Sequence, residues 1–163
     1  MVKTGIGQDS HRFDNESPMK PLILAGVEFP GECPLRGNSD ADVVLHAVTN
    51  AISGITGVNI IGAVSDELCL NQGITDSRVY LSESLKYLNN LKISHVSISI
   101  ECKRPKISPH IGDMKSSLAT LLSITPRDVG ITATSGEELT DFGKGKGIQA
   151  FAIVTAESED ITG

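Results

Sequence analysis

Two short stretches of the chain carry the side chains of a divalent metal site. Asp9 and His11 stand two residues apart, and His46 ends the stretch that begins at Asp40. Residues two apart on an extended strand point to the same side, whereas His46 would approach from a helix. One carboxylate and two imidazoles make a zinc ligand set that leaves a fourth position open, as catalytic sites require.

The first stretch should follow a strand, and the second should lie on a helix. An apolar run, Val2 to Ile6, predicts a short strand just before the first stretch. Ser39 and Asp42 are spaced like a capping box, and apolar residues then recur at helical spacing up to Gly54. This pattern places His46 on the second turn of a helix.

The rest of the chain alternates between strand and helix patterns. Strands are predicted at Leu22 to Ala25, Val27 to Phe29, His95 to Glu101, Val129 to Thr134 and Ile148 to Ala156. Helices are predicted at about Asp76 to Leu88, with Val79, Leu81, Leu85 and Leu88 inward, and from Ser108-Pro109 through Leu122. We therefore expect an α+β fold, an α/β sandwich in which helices pack on one face of a mixed sheet.

The last predicted strand is apolar on both faces. Ile148 and Val154 belong to one parity, and Phe151 and Ile153 belong to the other. Because successive strand residues point to opposite faces, we expect one face to meet helices and the other to meet another subunit.

Composition narrows the function classes. A chain of 163 residues fits a single domain, 1–163, and its net charge of −6 argues against a nucleic-acid surface, which needs a basic stripe. Cys33, Cys69 and Cys102 are odd in number and form no Cys-x-x-Cys pair, so neither a disulfide framework nor a thiolate zinc site is indicated, and a cytoplasmic location fits. No apolar run suits a membrane span, and the first motif begins too early for a signal peptide.

Three segments lack a clear periodic pattern. Gly54 to Thr75 and Ser135 to Gly147 read as functional loops that could face a ligand, the second with alternating glycines and lysines. The acidic end, Glu157 to Gly163, reads as a frayed tail.

Five segments in register resemble one enzyme family. They are Gly5 to Phe13, Ser39 to Ala47, Arg104 to His110, Thr132 to Glu137 and Gly143 to Gly147. Any one of them alone is weak, but their joint order and spacing over nearly the whole chain are highly specific. The chain resembles the 2-C-methyl-D-erythritol 2,4-cyclodiphosphate synthase family.

The resemblance implies an enzyme of non-mevalonate isoprenoid biosynthesis. It would convert 4-diphosphocytidyl-2-C-methyl-D-erythritol 2-phosphate into the cyclic diphosphate and release CMP, because the substrate's own 2-phosphate attacks its β-phosphorus. Carried over by position, Asp9, His11 and His46 would hold Zn²⁺, and Glu137 would hold Mg²⁺ or Mn²⁺ between the phosphates.

The resemblance also implies substrate contacts and an assembly. Ser135 would stabilise transition-state charge beside Thr134, and Asn38 would act as a second catalytic residue. The cytosine pocket would be formed by Cys102, Lys103, Arg104, Pro105, Lys106, Ile107 and Ser108, and further contacts would come from Ser10, Ser39, Gly62, Gly136 and Lys144. The family assembles as a homotrimer with active sites between subunits.

The chain departs from the family pattern at several positions. Asn38 stands where many members have His, which leaves a neutral hydrogen-bond donor in place of an acid. Ile60 replaces an Asp that contacts substrate hydroxyls, and Ala63 to Cys69 differs from the usual loop. Lys144 and Lys146 make the region around the trimer axis more basic.

Plainer interpretations stand beside these assignments. His46 could simply pair with Asp42, although we expect Asp42 to orient a metal ligand from behind. Glu137 could be a solvated acid, and we expect His95 to face solvent and His110 to be structural. Two other functions remain open: a catalytically weakened module that binds cytidine nucleotide or terpenoid phosphate, and a generic zinc phosphohydrolase.

Overall fold

A mixed four-stranded sheet forms the centre of the fold in the computed structural model, which describes residues 1–16 and 19–158. Its strands are β1 (Val2–Arg12), β4 (Leu91–Glu101), β5 (Val129–Thr134) and β6 (Gly147–Ser158), and β2 (Leu22–Leu24) pairs with β3 (Val27–Phe29) in a separate hairpin. The sheet order is β1-β6-β4-β5, with β4 and β5 parallel and the other pairs antiparallel. The expected mixed sheet is confirmed.

Within the described part of the chain, four α-helices and several short turns connect the strands. The helices are α1 (Val43–Thr56), α2 (Ala63–Asp66), α3 (Ser77–Leu85) and α4 (Ile111–Leu122). A π-helical turn, Glu67–Asn71, follows α2, and 3₁₀ turns lie at Lys86–Leu88, Ser108–His110, Pro126–Asp128 and Gly136–Glu138. Within the described ranges, no helix is long and apolar enough to cross a membrane.

Helix α1 lies unusually close to strand β1 because two strand residues lack side chains. A Cβ atom at Gly5 would come 2.0 Å from the Ala51 carbonyl oxygen, and one at Gly7 would come 2.0 Å from the Ala47 carbonyl oxygen. Only glycine permits this approach. The contact brings the start of α1, which carries His46, against the end of β1.

One face of the sheet is covered by helices and the other is exposed, as the residue pattern of β6 predicted. Ile148, Ala150, Ala152 and Val154 are at most 1% exposed and belong to the core beneath the helices. On the opposite face, Ile6, Phe151 and Ile153 are 68%, 39% and 44% exposed. Register places Ile6 beside Ile153, so these side chains form one apolar patch, which we call the free sheet face.

Several predicted boundaries were wrong. Strand β1 continues past Ile6 to Arg12, so the first metal motif lies within it. Asp42, not Ser39, caps α1, because its carboxylate accepts a hydrogen bond from the Leu45 amide at 3.0 Å. Helix α1 ends at Thr56, beyond Gly54.

Two expectations about side chains and loops also need correction. Val79 was predicted to point inward but is 38% exposed, and the neighbouring Tyr80 is buried in its place. The stretch 54–75 holds α2 and the π-helical turn, so it is more ordered than its sequence suggested. Glu157 and Ser158 belong to β6, and the remainder of the expected tail, 159–163, lies outside the described residues.

Candidate metal centre and substrate clefts

Asp9, His11 and His46 converge on one point. Asp9 Oδ2 lies 3.0 Å from His11 Nε2 and 3.0 Å from His46 Nδ1, and the two imidazole nitrogens are 3.4 Å apart. These three groups are the cluster among the described residues that could hold a metal ion, with ligand atoms within 4.8 Å of one another. Two imidazole nitrogens and one carboxylate oxygen suit a divalent ion such as zinc.

The imidazoles face the centre through different nitrogens. His11 Nδ1 lies 2.8 Å from the Arg36 carbonyl oxygen, which can only accept, so Nδ1 carries the proton and Nε2 faces the centre. His46 presents Nδ1 to Asp9, and its Nε2 lies 2.8 Å from the Ser77 hydroxyl. Each ring is therefore fixed from behind, as metal-binding histidines usually are.

The charged forms of the Asp9 carboxylate and the His11 imidazole stabilise each other. Burial would raise the pKa of Asp9, but hydrogen bonds and charge from His11 and His46 outweigh burial and lower it to about 2. Burial would likewise lower the pKa of His11, yet the hydrogen bond and charge of Asp9 raise it. Asp9 is thus an anion at neutral pH and a strong cation ligand.

Asp42 does not orient a metal ligand, so that expectation was wrong. Its carboxylate accepts hydrogen bonds from the amides of Ala25 at 2.9 Å and Gly26 at 2.7 Å, besides capping α1 through Leu45. Burial raises its pKa to about 6. Asp42 therefore ties the β2–β3 hairpin to α1 instead of contacting the His46 ring.

A cavity of about 320 Å³ opens beside the three ligands and is called here the metal cavity. Besides the ligands, it is lined by Gly37, Asn38, Ser39, Ile61, Gly62, Ser65, Asp66, Cys69 and Tyr80. Asn38, Ser39 and Gly62 were predicted contacts. Asp66 and Tyr80 were not predicted, because their stretches contain no motif; only the folding of 54–75, which carries Asp66, and of α3, which carries Tyr80, over the centre reveals them.

The carboxylate that the family pattern has at position 60 is absent here, but another carboxylate lies nearby. Ile60 is fully buried, so its side chain belongs to the interior. Asp66, at the end of α2, is exposed and lines the metal cavity. The cavity therefore still contains a carboxylate that is not one of the three metal ligands.

A second cleft, of about 420 Å³, collects most of the predicted cytosine pocket and is called the base cleft. It is lined by Cys102, Lys103, Pro105, Lys106, Ile107, Ser108, Ala133, Thr134 and Ser135. Arg104 lies outside this lining, with its guanidinium 5.8 Å from the centre of the Phe13 ring. Burial raises the pKa of Cys102 to about 11, which suits a wall residue and not a nucleophile. The base cleft and the metal cavity share no lining residue.

The loop after β5 carries the remaining predicted residues. Glu137 is exposed, has a left-handed backbone with φ 49°, and lines neither cleft. Glycine is favoured at Gly136 beside it, because the backbone there is also left-handed, with φ 71°. Lys103 Nζ lies 2.6 Å from Glu138 Oε1 and anchors this loop to the base cleft.

Two predicted substrate contacts lie away from both clefts. Ser10 points to the face of β1 opposite Asp9 and lines a smaller cleft of about 190 Å³ with His11 and Phe142. Lys144 is exposed in the glycine-rich turn, where its amide donates to the Thr140 carbonyl at 2.9 Å. The other two histidines behave as predicted: His95 is exposed, and the structural His110 packs against Phe29 with ring centres 4.2 Å apart.

Known proteins match this chain over most of its length. The model of the YgbB family matches residues 2–157. A Chlamydia caviae protein named 2-C-methyl-D-erythritol 2,4-cyclodiphosphate synthase is 54% identical over 156 residues, which are 95% of this chain and 89% of the relative.

Solved structures match it as well. The bifunctional IspDF of Campylobacter jejuni superposes with TM-score 0.88 at 26% identity, covering 98% of this chain and 43% of that chain. A CDP-bound structure of 2C-methyl-D-erythritol-2,4-cyclodiphosphate synthase superposes with TM-score 0.84 at 27% identity, covering 95% of this chain and all (100%) of that chain.

Proposed function

The chain belongs to the YgbB family of 2-C-methyl-D-erythritol 2,4-cyclodiphosphate synthases. We propose that its metal cavity and its base cleft bind different parts of the same substrate molecule. The chain is a lyase that converts 4-diphosphocytidyl-2-C-methyl-D-erythritol 2-phosphate into the 2,4-cyclodiphosphate and releases CMP. The names of its relatives support this activity and not a binding module that has lost catalysis.

The converging ligand atoms of Asp9, His11 and His46 carry the mechanistic proposal. Bound there, zinc would act as a Lewis acid on a phosphate oxygen, and a magnesium or manganese ion at Glu137 would offset further phosphate charge. The nucleophilic oxygen belongs to the substrate. The chain's own residues therefore align the two phosphates and exclude competing water.

The side chains around the metal cavity have complementary tasks. Asn38 replaces a possible acid, and its amide can donate a hydrogen bond to a phosphate without transferring a proton. Ser39 lines the same cavity and can do likewise. Asp66 is placed to accept hydrogen bonds from substrate hydroxyls, the task that a carboxylate at position 60 has in the family.

The base cleft supplies the other contacts. Lys106, Ile107 and their neighbours would enclose the cytosine, and the hydroxyls of Thr134 and Ser135 would bond the phosphate next to it. Gly136 and Lys144 would contact the same phosphates from the adjoining loop. Ser10, in its separate cleft, remains a proposed contact at the edge of the site.

We place the complete active site between subunits of a homotrimer. The metal cavity and the base cleft have no lining residue in common, so one substrate that needs both is best served by clefts from two chains. The free sheet face, with Ile6, Phe151 and Ile153 exposed, offers the apolar surface that such an assembly would bury.

The state of the cysteines supports a proposal about the cellular compartment. Cys33, Cys69 and Cys102 are all free thiols, and Cys102 is buried. Free thiols are usual in reducing compartments. We propose that the enzyme works in the cytoplasm.

Phosphorus NMR of the protein with 4-diphosphocytidyl-2-C-methyl-D-erythritol 2-phosphate, Zn²⁺ and Mg²⁺ tests the reaction. We expect signals of CMP and of a cyclic diphosphate to appear together. CMP with a linear phosphate would indicate a hydrolase. Substrate that binds but stays unchanged would indicate the binding module.

A further inference from the structure

A chain of hydrogen bonds runs from the His46 ring away from the metal centre. His46 Nε2 lies 2.8 Å from Ser77 Oγ, and Ser77 Oγ also contacts Asp40 Oδ1. Asp40 is held in turn, because its Oδ1 accepts from the Asp42 amide at 3.1 Å. His46 is 6% exposed and Ser77 is fully buried.

The direction of these hydrogen bonds follows from the groups that take part. Asp40 can only accept hydrogen bonds as a carboxylate, so the Ser77 hydroxyl donates its hydrogen bond to Asp40. The hydroxyl oxygen is then left as an acceptor for His46, and the proton of the ring must sit on Nε2. In the neutral ring, His46 Nδ1 therefore carries the lone pair that a metal ion would take, on the side where Asp9 lies, 3.0 Å away.

We propose that Ser77 and Asp40 are positioning residues that fix the tautomer and rotation of His46 so that Nδ1 faces the metal. The two histidines thereby use two different supports. His11 is held by a backbone carbonyl, at Arg36, whereas His46 depends on two side chains from separate parts of the chain.

The start of α3 is attached to the segment around Asp40 without the Ser77 hydroxyl. The Ser77 amide donates to Asp40 Oδ2 at 3.0 Å, and the Asp40 amide donates to the Thr75 carbonyl at 2.8 Å. Both bonds use backbone amides and survive a change of the Ser77 side chain. Removing the hydroxyl should therefore affect the His46 ring and leave the start of α3 attached.

Neighbouring polar groups do not replace the hydroxyl. Tyr80 is next to His46, with ring centres 6.1 Å apart, but its hydroxyl donates to the Ile74 carbonyl. Asp42 is occupied by the amides of the hairpin and of Leu45. Ser77 is the described side chain that meets His46 Nε2.

The sharpest variant is Ser77→Ala, with Ser84→Ala as its matched control. Ser84 lies on the same helix, is 1% exposed, and donates its hydroxyl to the Leu81 carbonyl at 2.7 Å, away from the metal centre. We expect Ser77→Ala to weaken zinc binding by about 10- to 100-fold. Ser84→Ala should bind zinc like the unaltered protein, measured by competition with a chromogenic chelator.

Asp40→Asn tests whether Asp40 acts through the hydroxyl. It should weaken zinc binding in the unaltered protein but add less in the Ser77→Ala background, because there it can disturb only the bonds of the Asp40 carboxylate to the Ser77 and Asp42 amides. Equal, additive losses would overturn the proposed chain of hydrogen bonds. Thermal unfolding of the metal-free variants shows whether each one folds.

Nitrogen-15 NMR of the histidines in the unaltered zinc-bound protein decides the matter without any variant. We expect a protonated Nε2 and a metal-bound Nδ1 for His46, and the opposite arrangement for His11. Zinc bound through Nε2 of His46 would overturn the inference, as would unchanged zinc affinity in Ser77→Ala. The inference rests on the proposed metal function, and failure of the unaltered protein to bind zinc would instead refute that function.

Discussion

The metal cavity and the base cleft are built in opposite ways. Asp9 and His11 are each 21% exposed and His46 is 8% exposed at the side chain, and all three lie on long elements that pack against each other. The base cleft is bordered by an exposed loop in which Glu137 and Glu138 both have positive φ values, 49° and 62°. One region is completed inside a single chain, whereas the other is left open.

This difference indicates which part of the chemistry each chain supplies alone. Ligands that are held by backbone and side-chain partners can bind a metal without help from another subunit. Under the proposed assembly, the open base cleft would gain its missing walls, and protection from water, from a partner subunit. Variants can disable one region and spare the other, and the largest effect is expected at the metal ligands.

Asp9→Asn should abolish activity through the metal cavity alone. The amide keeps the shape of the carboxylate but removes the charge that draws a cation, so zinc binding should fail and cyclisation should fall by about 100-fold or more. Binding of CDP, measured by calorimetry without metal, should be retained. Cyclisation at the normal rate without bound zinc would contradict the assigned role of the centre.

Ile153→Asp should disable the enzyme while sparing the metal centre. A charge in the middle of the free sheet face should prevent assembly, so activity should fall by about 100-fold or more while each chain still binds zinc. Tyr87→Asp is the control, since Tyr87 is 41% exposed on the helical side and Ile153 is 44% exposed. Light scattering distinguishes monomer from trimer, and a fully active monomer would refute the shared site.

Ser135→Ala should reduce turnover and leave zinc binding unchanged. Loss of one hydrogen bond to developing charge should lower kcat by about 10- to 100-fold. Ser135→Thr keeps the hydroxyl and should restore most of the rate. Steady-state kinetics on both variants provide the check, and equal rates for Ala and Thr would show that the hydroxyl has no role.

The smallest effect concerns the stability of the metal-free centre. Asp9 has a folded pKa of about 2 against 3.8 unfolded, so its contribution is present above pH 3.8 and is lost as pH falls towards 2. The raised pKa of His11 gives a contribution that is present below 6.5 and is lost as pH rises through the raised value. The difference in unfolding free energy between the unaltered protein and Asp9→Asn should therefore be largest between pH 3.8 and 6.5. Denaturant titrations without metal test this, and a pH-independent difference would contradict it.

Local patterns predicted the elements of the fold better than their ends. Strand β5 was predicted with its observed bounds, Val129–Thr134. Strand β1 was predicted too short, since its second half is polar and is held by pairing with β6 and not by propensity. Pairing partners distant in sequence are invisible to such patterns.

Site residues that belong to short sequence motifs were predicted. Site residues that reach the centre only through folding of distant segments were missed. Asp9 and His11 form one compact motif and His46 ends a second, and the structure brings all three side chains together. Ser77 and Asp66 reach the centre only because α3 and the stretch 54–75 fold over it. Asp40 is linked to His46 through Ser77, and no sequence spacing indicates that link.

Mixing two disabled variants tests most directly whether the metal cavity of one chain works with the base cleft of another. Asp9→Asn lacks the first region, and Lys106→Ala with Ser135→Ala lacks the second. Unfolding and refolding equal amounts of the two proteins together should yield randomly mixed trimers, and about one quarter of all sites in the mixture should combine two intact regions. We predict that cyclisation recovers to about that fraction. Activity no higher than the mean of the separate variants, in trimers shown to be mixed, would contradict the shared site.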